Sequence, residues 1–223
     1  MMLVSPLFRS VIETKEGCVS TLVIENQGCF RRFLTDLVRQ IDGADGDAVL
    51  SRNNKPVSIQ KNMEILTEFA PFAFNGKSVQ NRLISELNAR AMGETQWHTT
   101  GELVNSVERY IDELALELDL PCGVECMKLS FDGILKSAGI TVATDSQSPI
   151  AEVLDYMELS RMLFGNRLFV AVNMRSWFPD VEMELFAKDA AAKKLELLLL
   201  ENCDHPHLSN ERRWTIDSDL CEF

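Results

Sequence analysis

Apolar residues in this chain switch between two periods, and the switching predicts its elements. Val19-Ser-Thr-Leu-Val-Ile24 is rich in β-branched side chains and closes on Glu25-Asn-Gln-Gly28, so it reads as a strand. From Phe30 to Ile41 the apolar positions Phe30, Phe33, Leu34, Leu37, Val38 and Ile41 have the three-and-four spacing of a helix with one buried face, and Gly43 stops it. Asp42 to Pro56 is rich in acids, glycine and asparagine around Ala48-Val-Leu50, which predicts a turn region holding a short strand. Met63 to Phe74 reads as a strand ending near Glu68, followed by a loop.

The middle of the chain changes character. Lys77 to Met92, Thr100 to Leu118 and Asp132 to Ala138 all show helical periodicity, with almost no β signal. In the second of these, Leu103, Val107, Tyr110, Ile111, Leu114 and Leu118 form one stripe and Glu102, Glu108, Asp112, Glu113 and Glu117 take the other faces, a pattern of packing. After Gly139 the alternation returns. It predicts a strand Ile140–Val142, a helix Pro149–Phe164 with proline in its first turn, a strand Leu168–Val172, a helix Pro179–Lys194 and a strand Leu195–Leu200. Apolar strands separated by amphipathic helices imply a mostly parallel, buried sheet. The economical topology is one α/β domain, residues 1–74 and 140–223, interrupted by an all-helical domain, residues 75–139.

Composition narrows the class. With 46% hydrophobic and 25% charged residues over 223 positions, the chain is globular. Its 34 acids against 22 bases leave a net charge of -12, the wrong sign for a monomer that clamps phosphates over its whole surface, so any nucleic-acid contact needs a local basic patch. The six cysteines are scattered, Met1 to Pro6 is too short for a secretory leader before Arg9, and no window is long and apolar enough to span a membrane. A soluble, cytoplasmic protein with reduced thiols is expected.

Several motifs carry candidate chemistry. Pro71-Phe-Ala-Phe-Asn-Gly76-Lys77-Ser78 before a helix looks like a P-loop whose first glycine has become proline, which brings no amide donor and has a fixed φ. The strand Leu168–Val172 ends in Asn173, where working P-loop enzymes place an acid for magnesium. The expected result is a degenerate, P-loop-like scaffold without catalysis; the competing reading is an ATPase or kinase using Gly76, Lys77 and Ser78. Cys122 and Cys126 have no second pair at zinc spacing. Cys203, Asp204, His205 and His207 are a denser set of ligand types in what reads as a surface loop, and His98 stands alone. With three histidines and no nucleophile elbow, hydrolase chemistry has little support. Asp119, Glu125, Asp132 and Asp145 could gather around a hard cation or simply be solvated. The bases Lys77, Arg82, Arg90, Lys128 and Lys136 fall in the same half and could form a ridge or a solvated face.

The order of these segments resembles the small ring-forming adaptation protein of type II-A CRISPR systems, the Csn-two family. The resemblance rests on Glu117-Leu-Asp-Leu120, on Ile134-Leu-Lys-Ser-Ala-Gly139-Ile-Thr-Val142, on Leu168-Phe-Val-Ala-Val-Asn173, and on Leu197-Leu-Leu-Leu-Glu201 before Trp214-Thr-Ile-Asp217-Ser-Asp219-Leu220. It implies a degenerate P-loop domain carrying an extended helical domain, four copies closing into a ring, and binding of linear double-stranded DNA ends through the hole. It also implies calcium dependence, and a role in spacer acquisition, an antiviral defence, beside integrase proteins and the effector nuclease. On this resemblance the five bases are candidate phosphate contacts and the four acids candidate calcium ligands. Pro121-Cys-Gly-Val124 and Lys128 stand where the family is acid-rich, and Ala143 where it tends to carry an acid.

Overall fold

The chain is described from a computed structural model over residues 1–69, 72, 74–118, 122–124, 127–145 and 148–223. In chain order its elements are β1 (Met2–Val4), β2 (Ile12–Glu13), β3 (Val19–Ile24), α1 (Gln27–Ile41), β4 (Val49–Arg52), β5 (Lys55–Val57), α2 (Ile59–Asn62), β6 (Met63–Leu66), α3 (Lys77–Ala91), α4 (Trp97–Leu116), α5 (Phe131–Ser137), α6 (Pro149–Phe164), β7 (Leu168–Val172), α7 (Asp180–Ala192), β8 (Glu196–Glu201) and β9 (Glu211–Ile216). Packing divides them into two units, Met1–Phe74 with Thr144–Phe223, and Asn75–Ala143.

The first unit is α/β, as the alternation of strands and helices predicts. Its centre is a five-stranded, wholly parallel sheet in the order β6-β7-β8-β3-β9. All residues of β3 and β7 are buried, and so is β8 beyond Glu196, because a parallel sheet covered by helices has no wet face. On one face Leu22, Ile24, Val170, Leu198 and Leu200 meet Phe33 and Leu37 of α1. On the other, α7 packs on β3 and β8, and α6 packs on α7. The strand of this sheet that comes first in sequence, β3, lies between β8 and the edge strand β9, so the order reverses at β3, one strand in from the edge.

Three features depart from the pattern read in the sequence. Residues 140–142 form no strand: the Val142 amide donates to Asn75 Oδ1 at 2.7 Å and its carbonyl accepts from Asn75 Nδ2 at 3.0 Å, so a side-chain amide takes the place of a neighbouring strand. A second, antiparallel sheet, β2-β1-β4-β5, caps the α1 face. Its β4–β5 hairpin turns on Asn53 and Asn54, both left-handed (φ 52° and 58°), the conformation of a type I′ turn. The edge strand β9, Glu-Arg-Arg-Trp-Thr-Ile, is too polar to be read as a parallel strand, yet pairs with β3 along its full length.

Two ionic clusters are taken into this unit. Glu64 on β6 accepts from Tyr156 Oη, from Ser160 Oγ at 2.7 Å and from Arg167 Nη1 at 3.0 Å; burial and then the Glu64 charge push the Tyr156 phenol well above its usual range. At the end of β8, Glu201 is wholly buried and accepts from the Arg175 amide at 3.2 Å. Burial pushes its carboxyl up to about 7, against the opposing pull of that hydrogen bond and of the Arg175 and Arg213 charges.

The second unit, in its described residues, is built of helices alone. Val79 and Ile84 bury one side of α3, which packs on α5. Thr100 Oγ1 donates to the Ala91 carbonyl at 2.9 Å, fixing the α3–α4 corner, and the Leu129 amide donates to Glu108 Oε1 at 2.7 Å.

Phe169→Ala, which empties a fully buried site on β7, is expected to cost about 3–5 kcal/mol, read as a lowered denaturant midpoint. Glu201 titrates near 7 when folded and near 4.5 when unfolded, so the folded state holds the extra proton between those values and loses stability as pH rises through them. Relative to the native chain, Glu201→Gln should therefore gain up to about 3 kcal/mol between about pH 5 and about pH 8; urea midpoints at both values, differing by the same amount for the two proteins, would contradict this.

Candidate nucleic-acid interface

Ligands of open α/β sheets sit outside the carboxyl ends of the strands, where the order reverses. Here that point is the β3–α1 junction, a turn of only Glu25 and Asn26. Asn26 occupies the helix start itself: its Oδ1 accepts from the Cys29 amide at 2.9 Å and its carbonyl from the Phe30 amide at 2.9 Å. The donors that a phosphate would need are thus partly taken by the chain. Beside it, Asn173 ends β7 in the left-handed conformation, its amide donating to the Leu200 carbonyl at 2.9 Å and its Oδ1 accepting from the Asn202 amide at 3.0 Å. The neutral side chain of Asn173 stitches β7 to β8. This junction carries no glycine-rich signature, which is why the sequence pattern pointed elsewhere.

Gly76, Lys77 and Ser78 open α3, in the helical unit, whereas the preceding strand β6 belongs to the α/β unit. Gly76 is the N-cap and supplies no side-chain cap. Pro71 lies outside the described residues.

The five candidate phosphate contacts all belong to the helical unit and all are exposed. Lys77, Arg82 and Arg90 are on α3, Lys128 precedes α5 and Lys136 is on α5. At 3.6 residues per turn, Arg82 and Arg90 lie about 80° apart around α3 and Lys77 about 140° from Arg82, so they form a broad face and no single ridge. Arg82 pairs with Glu86 at 2.8 Å, and Lys136 with Asp132 at 2.5 Å. Charge nonetheless segregates between helices. On α3 three bases stand against Glu86, while on α4 Glu102, Glu108, Asp112 and Glu113 stand against Arg109. Sequence reading passed over Arg31, Arg32 and Arg39, exposed on α1 and without an ion pair among the described residues; the seven-residue step from Arg32 to Arg39 was the available signal.

Of the candidate calcium ligands, Asp119 and Glu125 lie outside the described residues. Asp132 is neutralised by Lys136, and exposed Asp145 belongs to the other unit. Among the described residues no three histidine, cysteine or acidic side chains are placed to hold a metal ion. That includes the 203–207 segment, where His207 turns to Glu211 at 3.7 Å. His98 pairs with Glu102 at 3.6 Å, and Cys126 lies outside the described residues. No helix among the described residues is long and apolar enough to cross a membrane.

A model of the family described as CRISPR-associated protein (Cas_Csn2) matches residues 40–220. Comparison with curated proteins finds no match. Among solved structures the fold is similar to that of Stu0660 of Streptococcus thermophilus, with a TM-score of 0.56 and 13% identity over 90% of this chain and 68% of that one. A putative ABC transporter ATP-binding protein from Pyrococcus furiosus, at a TM-score of 0.37 and 13% identity over 92% of this chain and 88% of that one, is too distant to bear on function. The family match runs from the end of α1 through β9, and on that extent this chain belongs to the CRISPR-associated Csn2 family.

Proposed function

We propose that this chain is a non-catalytic, ring-forming protein that binds linear double-stranded DNA at its ends, without reading sequence, during CRISPR spacer acquisition. Family membership supports a CRISPR role, and the observation that carries the DNA-binding part is the charge segregation in the helical unit, with exposed Lys77, Arg82 and Arg90 on one helix and acids on the next. A lone chain of net charge -12 repels a polyanion at long range. Closing four copies so that their α3 bases face a common hole concentrates positive field inside and leaves acids outside, and phosphate neutralisation depends on that local field. Contacts of this kind position a duplex without discriminating bases.

Lys77, Arg90 and Lys128 are the primary contacts in this reading, since no ion pair to them is present among the described residues; Arg82 and Lys136 would first have to leave Glu86 and Asp132. Among the described residues no three acidic, histidine or cysteine side chains are placed to hold a calcium ion, and the candidate ligands Asp119 and Glu125 lie outside those residues. The integrase proteins and the effector nuclease of the same system are the partners expected to use the bound DNA.

In gel-shift titrations, linear duplexes should bind and closed circles of the same sequence should not, with affinity falling steeply as salt rises. Lys77→Ala and Arg90→Ala should each reduce the slope of log K against log salt by about one for every phosphate no longer neutralised, without changing sequence preference. Equal binding to circles, or a flat salt response, would contradict the reading. Light scattering should give the mass of four chains; a single-chain mass under the conditions that support binding would remove the ring.

A further inference from the structure

The loop after β8 carries a thiol and an imidazole that neither the fold nor the DNA-binding reading uses. Cys203 is exposed, and its Sγ lies 3.4 Å from His205 Nε2. Two guanidiniums hold this loop. Arg213 Nη1 donates to the His205 carbonyl at 2.6 Å and to Asp204 Oδ1 at 2.5 Å, and Arg175 Nη1 donates to the Pro206 carbonyl at 2.6 Å. Their side chains are 7% and 1% exposed, so the pair is seated on backbone fixed from within the domain. Behind the imidazole, the wholly buried Glu201 brings Oε2 to 3.7 Å from Nε2; that oxygen has no hydrogen-bond partner.

This surrounding chemistry favours a neutral imidazole. Burial, and then the Arg175 and Arg213 charges, pull His205 below the ordinary histidine value, against the smaller opposing pull of Asp180 and Asp204. A neutral ring has one nitrogen free to accept the proton of a thiol against it, and a cysteine is nucleophilic as its thiolate. The other described cysteines lack that partner. Cys29 is buried and Cys18 is half-buried against backbone carbonyls, while the exposed Cys122 and Cys221 have no hydrogen bond to sulfur among the described residues.

We propose that Cys203 and His205 form a reactive-thiol site that exchanges with low-molecular-weight disulfides. The Cys203 S–H passes its proton to His205 Nε2 and the thiolate attacks one sulfur of the disulfide RS–SR. The new Sγ–S bond forms as the S–S bond breaks, and the departing RS⁻ recovers the proton from the imidazolium and leaves as RSH. The Cys203 sulfur is oxidised, the departing sulfur is reduced, and the disulfide itself is the only oxidant.

The test treats the full chain with one equivalent of the chromogenic aromatic disulfide DTNB and locates the adduct by peptide mass mapping. Label should reach Cys203 first, on the order of tenfold faster than Cys122 or Cys221, a modest effect for a positioned base. His205→Gln, which removes the basic nitrogen and keeps a polar side chain, should slow labelling of Cys203 by a similar factor and leave Cys122 and Cys221 unchanged; those two thiols also report any loss of folding. Label landing first on another cysteine, or spread by exposure alone, overturns the proposal, as does a folded His205→Gln protein that labels Cys203 at the native rate. If that variant does not fold, the map of the native chain decides by itself.

Discussion

A parallel sheet with helices on both faces has nowhere to put water, and most of the α/β unit follows from that. Its strands must be apolar along their whole length, as β3, β7 and β8 are, and charge is expelled to the strand ends and to the edge strands. Where an acid does enter it is answered in part or in full: Glu201 at the end of β8 by the Arg175 amide, with one oxygen left without a hydrogen bond and its carboxyl raised by burial, and Glu64 on the edge strand β6 by Arg167, Ser160 and Tyr156. Breaking such a set costs more than the set is worth, because one partner is left buried and uncompensated.

The same constraint shapes the carboxyl edge of the sheet. The β3–α1 turn is short and Asn26 caps its own helix, while Asn173 ties the ends of β7 and β8 together. Polar groups that would face a phosphate or a metal in a nucleotide-binding sheet satisfy one another here. The carboxyl edge of the sheet thus serves the stability of the fold, and the second unit carries exposed charged side chains on its helices. Their charge is uneven, which is how an acidic chain can present a basic face.

Much of this was legible in the residues. Apolar runs separated by amphipathic helices can be buried in few ways, so periodicity alone led to a parallel α/β fold and to the helical character of the middle segment. The failures have physical causes. Ile140-Thr-Val142 has strand composition, but a strand exists only if another strand pairs with it, and Asn75 satisfies Val142 instead. Glu211–Ile216 lacks that composition, yet it pairs with β3, because an edge position tolerates polar side chains. The phosphate-loop motif at Gly76 was a local spelling, whereas the strand–turn–helix at the point where the strand order reverses is β3–α1 and spells nothing recognisable.

Candidate site residues divide along the same line. That Lys77, Arg82 and Arg90 follow one another along α3 with Glu86 as its one acid can be read from the chain as written; that Lys136 pairs with Asp132 and Arg82 with Glu86 depends on which side chains the helices bring within reach. Likewise, Cys203 and His205 are two positions apart in any conformation, but their contact comes from Arg175 and Arg213 holding the loop from 28 and 10 positions away from Cys203 in the sequence. Sequence by itself determined what must be buried, since hydrophobicity is carried residue by residue. Only the tertiary structure decided which polar groups remain unpaired, since a hydrogen bond or an ion pair needs two groups brought together in space.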